Sequence, residues 1–184
     1  NMQVDLNADM GEGFGPWKMG DDDALLQIVT SANIACGAHA GDPDVMAHTM
    51  GVAKENDVGI GAHPGFADLQ GFGRRRLNIP HESLQNSIRT QDGASHGMAR
   101  ALGAKVRPVK LPGAGSHDPG HAGARMGVMS KAQAFISYGG KHIATSIDTI
   151  CLHGDTPTAV EIARQVRDAL ESAGVAVTRF SGRR

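Results

Sequence analysis

The stretch Ala32-Asn33-Ile34-Ala35-Cys36-Gly37-Ala38-His39-Ala40-Gly41-Asp42-Pro43 joins a short apolar run to a helix start through a turn that carries a histidine. The run Ala32 to Cys36 is mostly apolar and closed by glycine, the pattern of a strand buried on both faces. Asp42 followed by Pro43 reads as N-cap and first helical residue, because proline has no N–H to lose there and arrives with a helical φ. A buried strand feeding directly into a helix implies parallel α/β architecture, in which ligands sit at the turns beyond the strands' carboxyl ends. His39 lies on such a turn.

Two more apolar runs end the same way. Val58-Gly59-Ile60-Gly61-Ala62 exits into His63-Pro64-Gly65, and Thr149-Ile150-Cys151-Leu152 exits into His153-Gly154-Asp155-Thr156-Pro157. One histidine at a strand's exit is ordinarily a satisfied structural residue, whereas three at equivalent exits point to a site. Upstream, Gln3 to Asp9 alternates apolar and polar residues, which puts Asp5, Asn7 and Asp9 on one face of a strand. A half-exposed strand explains that alternation equally well. Gly11-Glu12-Gly13-Phe14-Gly15 adds a carboxylate on a glycine-rich loop, a weak nucleotide signal because no strand-to-helix phosphate turn follows.

The remaining text reads as helices and connections around these exits. Helices are expected over about Asp22–Val29, Val45–Glu55, Pro80–Leu102, Ala122–Ala134 and Thr158–Ala173, the third weakened in its middle by Asp92 to Gly97. Lys105 to Val109 reads as a third core strand ending in Lys110, either a charge stabiliser at the site or a snorkelling surface residue. Ser137 to Ile147 suggests a hairpin-like excursion, and Val175 to Val177 one short strand. The loop Asp68 to Arg76 carries Arg74 and Arg75, whose guanidinium groups can grip a substrate carboxylate bidentately. His48 lies off its helix's apolar stripe and reads as surface, His117 as local capping and His142 as an exposed turn.

Composition narrows the class. The 184 residues allow one domain with a sizeable core, and a formal net charge of −1 offers no footprint for nucleic acid or an anionic membrane. No apolar run approaches a membrane span and no secretory leader is legible, so a cytoplasmic small-molecule protein is expected. Cys36 and Cys151, the two cysteines, each close an apolar run and read as small buried thiols without a disulfide. The 25 glycines are spread through turn positions, and no repeat or low-complexity tract is present.

Taken together, Asp5-Leu6-Asn7-x-Asp9-x-Gly11-Glu12, Cys36-Gly37-x-His39-Ala40-Gly41-Asp42-Pro43, Gly61-Ala62-His63-Pro64-Gly65, Asp68-Leu69-Gln70-Gly71-Phe72-Gly73-Arg74-Arg75 and Cys151-x-His153-Gly154-Asp155-Thr156-Pro157 resemble the LamB/YcsF family. The resemblance covers Met2 to Lys110 and Leu111 to about Val177, in family order. It implies a distorted, seven-stranded variant of the TIM barrel, related to metal-dependent polysaccharide deacetylases, formed by one domain over residues 1–184. It also implies the role of the A-subunit in an ATP-dependent 5-oxoprolinase, which opens 5-oxoproline to glutamate with two partner subunits. ATP with magnesium comes with that role, and a divalent metal in the cleft is a further candidate.

Two departures stand out. Between Lys110 and Leu111 the family carries a long segment, so this barrel is expected to be incomplete, its middle portion either deleted or simply not represented. Gln91 to Gly97 is polar where the family's helix is apolar.

For the implied lactam opening, Asp9, Glu12, Lys110 and Asp155 are the catalytic candidates, with Asp9 or Asp155 as general base and Lys110 as charge stabiliser. Asn7, Arg74, Arg75 and His153 are candidates for substrate binding, and Asp5, His39 and His63 for a metal. The rivals are a metal-dependent deacetylase-like carbohydrate hydrolase acting alone and a non-catalytic substrate-binding component of a larger complex. Self-association into a homo-oligomer is compatible with each.

Overall fold

A computed structural model describes residues 2–107, 134–136, 142–144 and 147–179. Strand β1 (Gln3–Met10) is the centre of a parallel sheet and is buried from Val4 onward. β2 (Ser31–Ala35) lies on one side of it, followed outward by β3 (Gly59–His63) and β4 (Val106–Arg107), and β7 (Thr149–His153) lies on the other. Asn7 pairs with Ser31 and Cys151, and Asp9 with Asn33 and His153. β8 (Ala176–Val177) pairs with Gln3 and Val4 at the start of β1. A separate antiparallel pair, β5 (Ala134–Ile136) with β6 (His142–Ala144), corresponds in part to the expected excursion: it begins before Ser137, and His142 opens a strand, paired with Ile136, rather than sitting in a turn.

The helices cover the sheet as the sequence pattern requires. α1 (Asp22–Leu25) is shorter than expected, yet Leu26, Ile28 and Val29 beyond it still pack into the core. α2 (Pro43–Glu55) starts as the Asp42-Pro43 pair predicts: Asp42 Oδ1 accepts N–H bonds from Asp44 and Val45, both at 2.9 Å.

α3 (His81–Ala101) runs unbroken through the polar stretch where weakening was expected. Its polar residues have tertiary partners. Gln91 clamps the backbone of Gly65, accepting from its N–H and donating to its carbonyl at 2.9 Å each, and Ser95 meets the Cys36 thiol at 3.1 Å. The satisfied amide at Gln91 offsets the cost of burying it. α4 (Ala159–Ser172) buries Ile162, Val166 and Leu170, each contributing about 1.5–3 kcal/mol on removal from water.

Other expectations are corrected. Cys151 is exposed rather than buried: it shares the face of Asn7 and Asp9, which are buried on β1, but stands on β7, the last strand on that side of the sheet among the described residues. Ala134 opens β5 rather than ending a helix; residues 122–133, Lys110, His117 and the Lys110–Leu111 junction lie outside the described residues.

Candidate functional site

The β1 side chains that alternate with Val4, Leu6 and Ala8 point into the sheet's other face and stack in layers. At the bottom, Asp5 is collared by hydroxyls: Thr30 and Ser31 donate to Oδ1 at 2.8 and 2.6 Å, and Thr149 to Oδ2 at 2.7 Å. One layer up, Asn7 donates to Thr149 Oγ1 at 2.5 Å and accepts from Asn33 Nδ2 at 2.7 Å. Asn33 also donates to Asp9 Oδ1 at 3.1 Å, which fixes one oxygen of the third layer.

The other oxygen of Asp9 faces the site. Oδ2 stands 3.7 Å from His63 Nε2 and 3.8 Å from His153 Nδ1, so the carboxylate sits between two imidazoles. His63 Nε2 also lies 3.9 Å from Glu12 Oε1. His39 meets the His63 ring edge-on at 4.8 Å between centroids. One donor atom each from Glu12, His39 and His63 fall within 4.8 Å of one another, and all three residues are buried. Two imidazoles and a carboxylate are the donor set of catalytic divalent-metal sites that keep a position open for water or substrate, so these residues fit such an ion.

Electrostatics point the same way. Burial, reinforced by Asp9, Asp155 and Asp22, pushes the Glu12 carboxyl up to about 8, with Arg74 pulling in the opposite direction. A proton or a cation relieves that crowding of negative charge. Burial likewise pushes Asp22 up to about 6, although it accepts the Gly11 N–H at 2.8 Å.

The surrounding loops are pinned. Arg75 grips Asp68 through Nε and Nη2, holding that carboxyl below its usual range, and Gly71 N–H donates to the same side chain at 3.0 Å. The guanidinium of Arg75 therefore fastens its own loop. Its neighbour Arg74 reaches across to Asp155, Nη2 to Oδ2 at 3.2 Å, and lies over the Phe72 ring at 4.8 Å. Phe72 in turn packs edge-on against His39 at 5.7 Å. Phe14 and Trp17 exchange two backbone hydrogen bonds in a tight turn, with Trp17 70% exposed. A cavity of about 400 Å³ lined by Lys18, Met19, Asp155 and Thr156 adjoins that turn.

Asp9, Glu12, His39, His63, Arg74, His153 and Asp155 thus gather at the carboxyl ends of the strands, as expected for one cleft. Three expectations change. Asp5 lies two layers below the imidazoles, and Glu12 joins His39 and His63 in its place. Asn7 serves the internal network rather than the mouth of the cleft. Arg75 is spent on Asp68, which leaves Arg74 as the arginine of that loop directed at the cleft. Sequence reading misses Gln91; its place within a polar interruption of a helix is the one signal that could have found it.

A parallel α/β sheet with imidazoles and carboxylates converging at its strands' carboxyl ends defines a class of metal-compatible hydrolytic sites. Within that class the chain belongs to the LamB/YcsF family, whose model matches it in two segments, residues 4–116 and 108–184. It is 49% identical to a protein of Ruegeria pomeroyi named as the A-subunit of 5-oxoprolinase, over 97% of this chain and 98% of that one. A Nocardia farcinica protein of the same name is 38% identical, over 97% and 100%. The structure matches that of the lactam utilization protein from Thermus thermophilus with a TM-score of 0.89 and 30% identity, covering 97% of this chain and 100% of that one. The Ruegeria alignment spans 249 positions although 97% of only 184 residues take part, so about 70 positions of the relative stand opposite no residue here.

Proposed function

We propose that this chain is the A-subunit of an ATP-dependent 5-oxoprolinase, opening 5-oxo-L-proline to L-glutamate together with two partner subunits in the cytoplasm, where ATP is the co-reactant. The observation that carries this reading is the Asp9, Glu12, His39, His63 and His153 cluster at the strand ends of a chain whose relatives bear that name.

A lactam is a poor electrophile, so opening it takes a donor at the carbonyl oxygen, an activated water and a protonated leaving nitrogen. Asp9, flanked by His63 and His153, is placed to take a proton from water, and the imidazoles can accept or pass that proton. Glu12, protonated near neutrality, can donate at the oxygen or nitrogen. ATP supplies the remaining activation by phosphorylating the carbonyl oxygen; water then adds to that carbon, the C–N bond breaks with the nitrogen leaving protonated, and the resulting acyl phosphate is hydrolysed by a second water to glutamate and phosphate. A divalent ion held by Glu12, His39 and His63 would take the place of the Glu12 proton and polarise the same oxygen instead. Lys110 remains a candidate charge stabiliser by its place after β4.

We also read the skipped positions as an internal gap in a single barrel domain, between Lys110 and Leu111. Two matches meeting at residues 108–116 support it.

The test is glutamate formation from 5-oxoproline, with and without ATP, partner proteins added. Formation that requires ATP and is lost in Asp9→Asn with assembly retained supports the reading; retained turnover in that variant supports a non-catalytic, substrate-binding role instead. The Glu12, His39 and His63 group favours a second reading, a deacetylase-like hydrolase acting alone. Turnover of an N-acetylated sugar that needs metal but neither ATP nor partners would establish it.

A further inference from the structure

The cleft's wall is built of carboxylates and imidazoles, and among the described residues Arg74 is a cation that reaches in among them through Asp155. It extends from the Asp68–Arg75 loop, which Asp68 fastens through Arg75 and the Gly71 N–H, so its backbone is fixed while its side chain is 58% exposed. The contact with Asp155 is single: Nη2 meets Oδ2 at 3.2 Å, while Oδ1 of Asp155 is buried and accepts no hydrogen bond among the described residues. Guanidinium and carboxylate ordinarily prefer two parallel bonds, and a one-point exposed pair is weak enough to exchange. Phe72 supports the guanidinium at 4.8 Å and itself rests against His39, which ties the position of Arg74 to the imidazole cluster.

We propose that Arg74 recognises the free carboxylate of the substrate, and that Asp155 occupies its guanidinium until that carboxylate takes its place. A ligand offering two oxygens replaces a single contact with a bidentate one, and the exchange releases Asp155 toward the cleft. The substrate class is then a small amide bearing a carboxylate beside the reacting bond. The amide rests on the function proposed above; the carboxylate does not.

The experiment is a calorimetric titration of the full chain and of R74A, R74K and D155N. Its ligands are 5-oxo-L-proline, the uncharged lactam 2-pyrrolidinone, and the open-chain carboxylate N-acetylglycine. R74A should weaken 5-oxoproline at least tenfold and leave 2-pyrrolidinone within about twofold, R74K should recover part of the loss, and D155N should tighten the carboxylate ligands severalfold. Thermal melts identify any variant that is unfolded, in which case R74K alone carries the comparison. Equal weakening of both lactams by R74A, or weakening of 5-oxoproline by D155N, overturns the proposal. Arg74-dependent binding of N-acetylglycine without binding of 5-oxoproline keeps the carboxylate site and removes the lactam. Absence of Arg74 dependence for every carboxylate removes the site whatever becomes of the lactam.

Discussion

Gly65 faces the ring of His39 so closely that a methyl on its Cα would lie 2.4 Å from Nδ1 and 2.6 Å from Cγ. A Gly65→Ala substitution therefore displaces the imidazole without removing any polar group. Turnover should fall by about a hundredfold or more, while overpacking costs about 1–3 kcal/mol of stability. Activity and melting temperature measured side by side check this, and an active Gly65→Ala enzyme would show that His39 need not be held in place.

His39→Ala and His63→Ala should abolish activity and also destabilise by about 2 kcal/mol or more, since both rings are buried against their neighbours. His48→Ala should stay within about 0.5 kcal/mol, because its 3.0 Å contact with Asp23 is exposed. Chemical denaturation of the three variants separates these outcomes.

Glu12 and Asp22 bind protons more tightly when folded, at about 8 and about 6, than ordinary unfolded carboxyls do at roughly 4. The folded state thus holds more protons between those limits, and stability should fall as pH rises from about 4 toward 8. Glu12→Gln should flatten the upper part of that slope and Asp22→Asn the lower. A divalent cation should reverse it, stabilising more strongly as pH rises because it displaces the Glu12 proton. Melting temperatures across pH, with chelator and with zinc or manganese, test both signs.

Cys151 is exposed on the face shared with Asp9, its Sγ 3.8 Å from Asp9 Oδ1, whereas Cys36 is buried. A thiol reagent should label Cys151 alone, and a bulky label there should block ligand binding. Mass spectrometry of the labelled peptides decides which thiol reacted.

Inserting the roughly 70 skipped positions of a relative at residues 108–116 should raise solubility and melting temperature by pairing strand edges. An insertion that leaves both unchanged would mean that this barrel is closed by other means.

Much of this is legible in the sequence because local signals and tertiary structure agree. Asp42 and Pro43 announce α2, and histidines at three strand exits announce the cleft. Alternation places Asp5, Asn7 and Asp9 on one face but cannot say which layer meets solvent or ligand, since depth along a barrel axis depends on register with strands far away in sequence. For the same reason Asp5 reads as a metal ligand in the sequence, while Glu12, on a glycine-rich loop, reads only as a catalytic carboxylate. The clamp of Gln91 on Gly65 spans 26 residues and no periodicity encodes it.

The Phe14–Trp17 turn carries the chain's one tryptophan, already 70% exposed in the folded protein. Its emission therefore belongs to the loop between Glu12 and Asp22 and says little about the core. A denaturation curve followed by fluorescence would show scant change in wavelength while the sheet melts, and circular dichroism is the signal that sees the fold. The same insensitivity makes Trp17 a clean optical probe at the rim of the cleft, dark to global unfolding and responsive to what docks beside it.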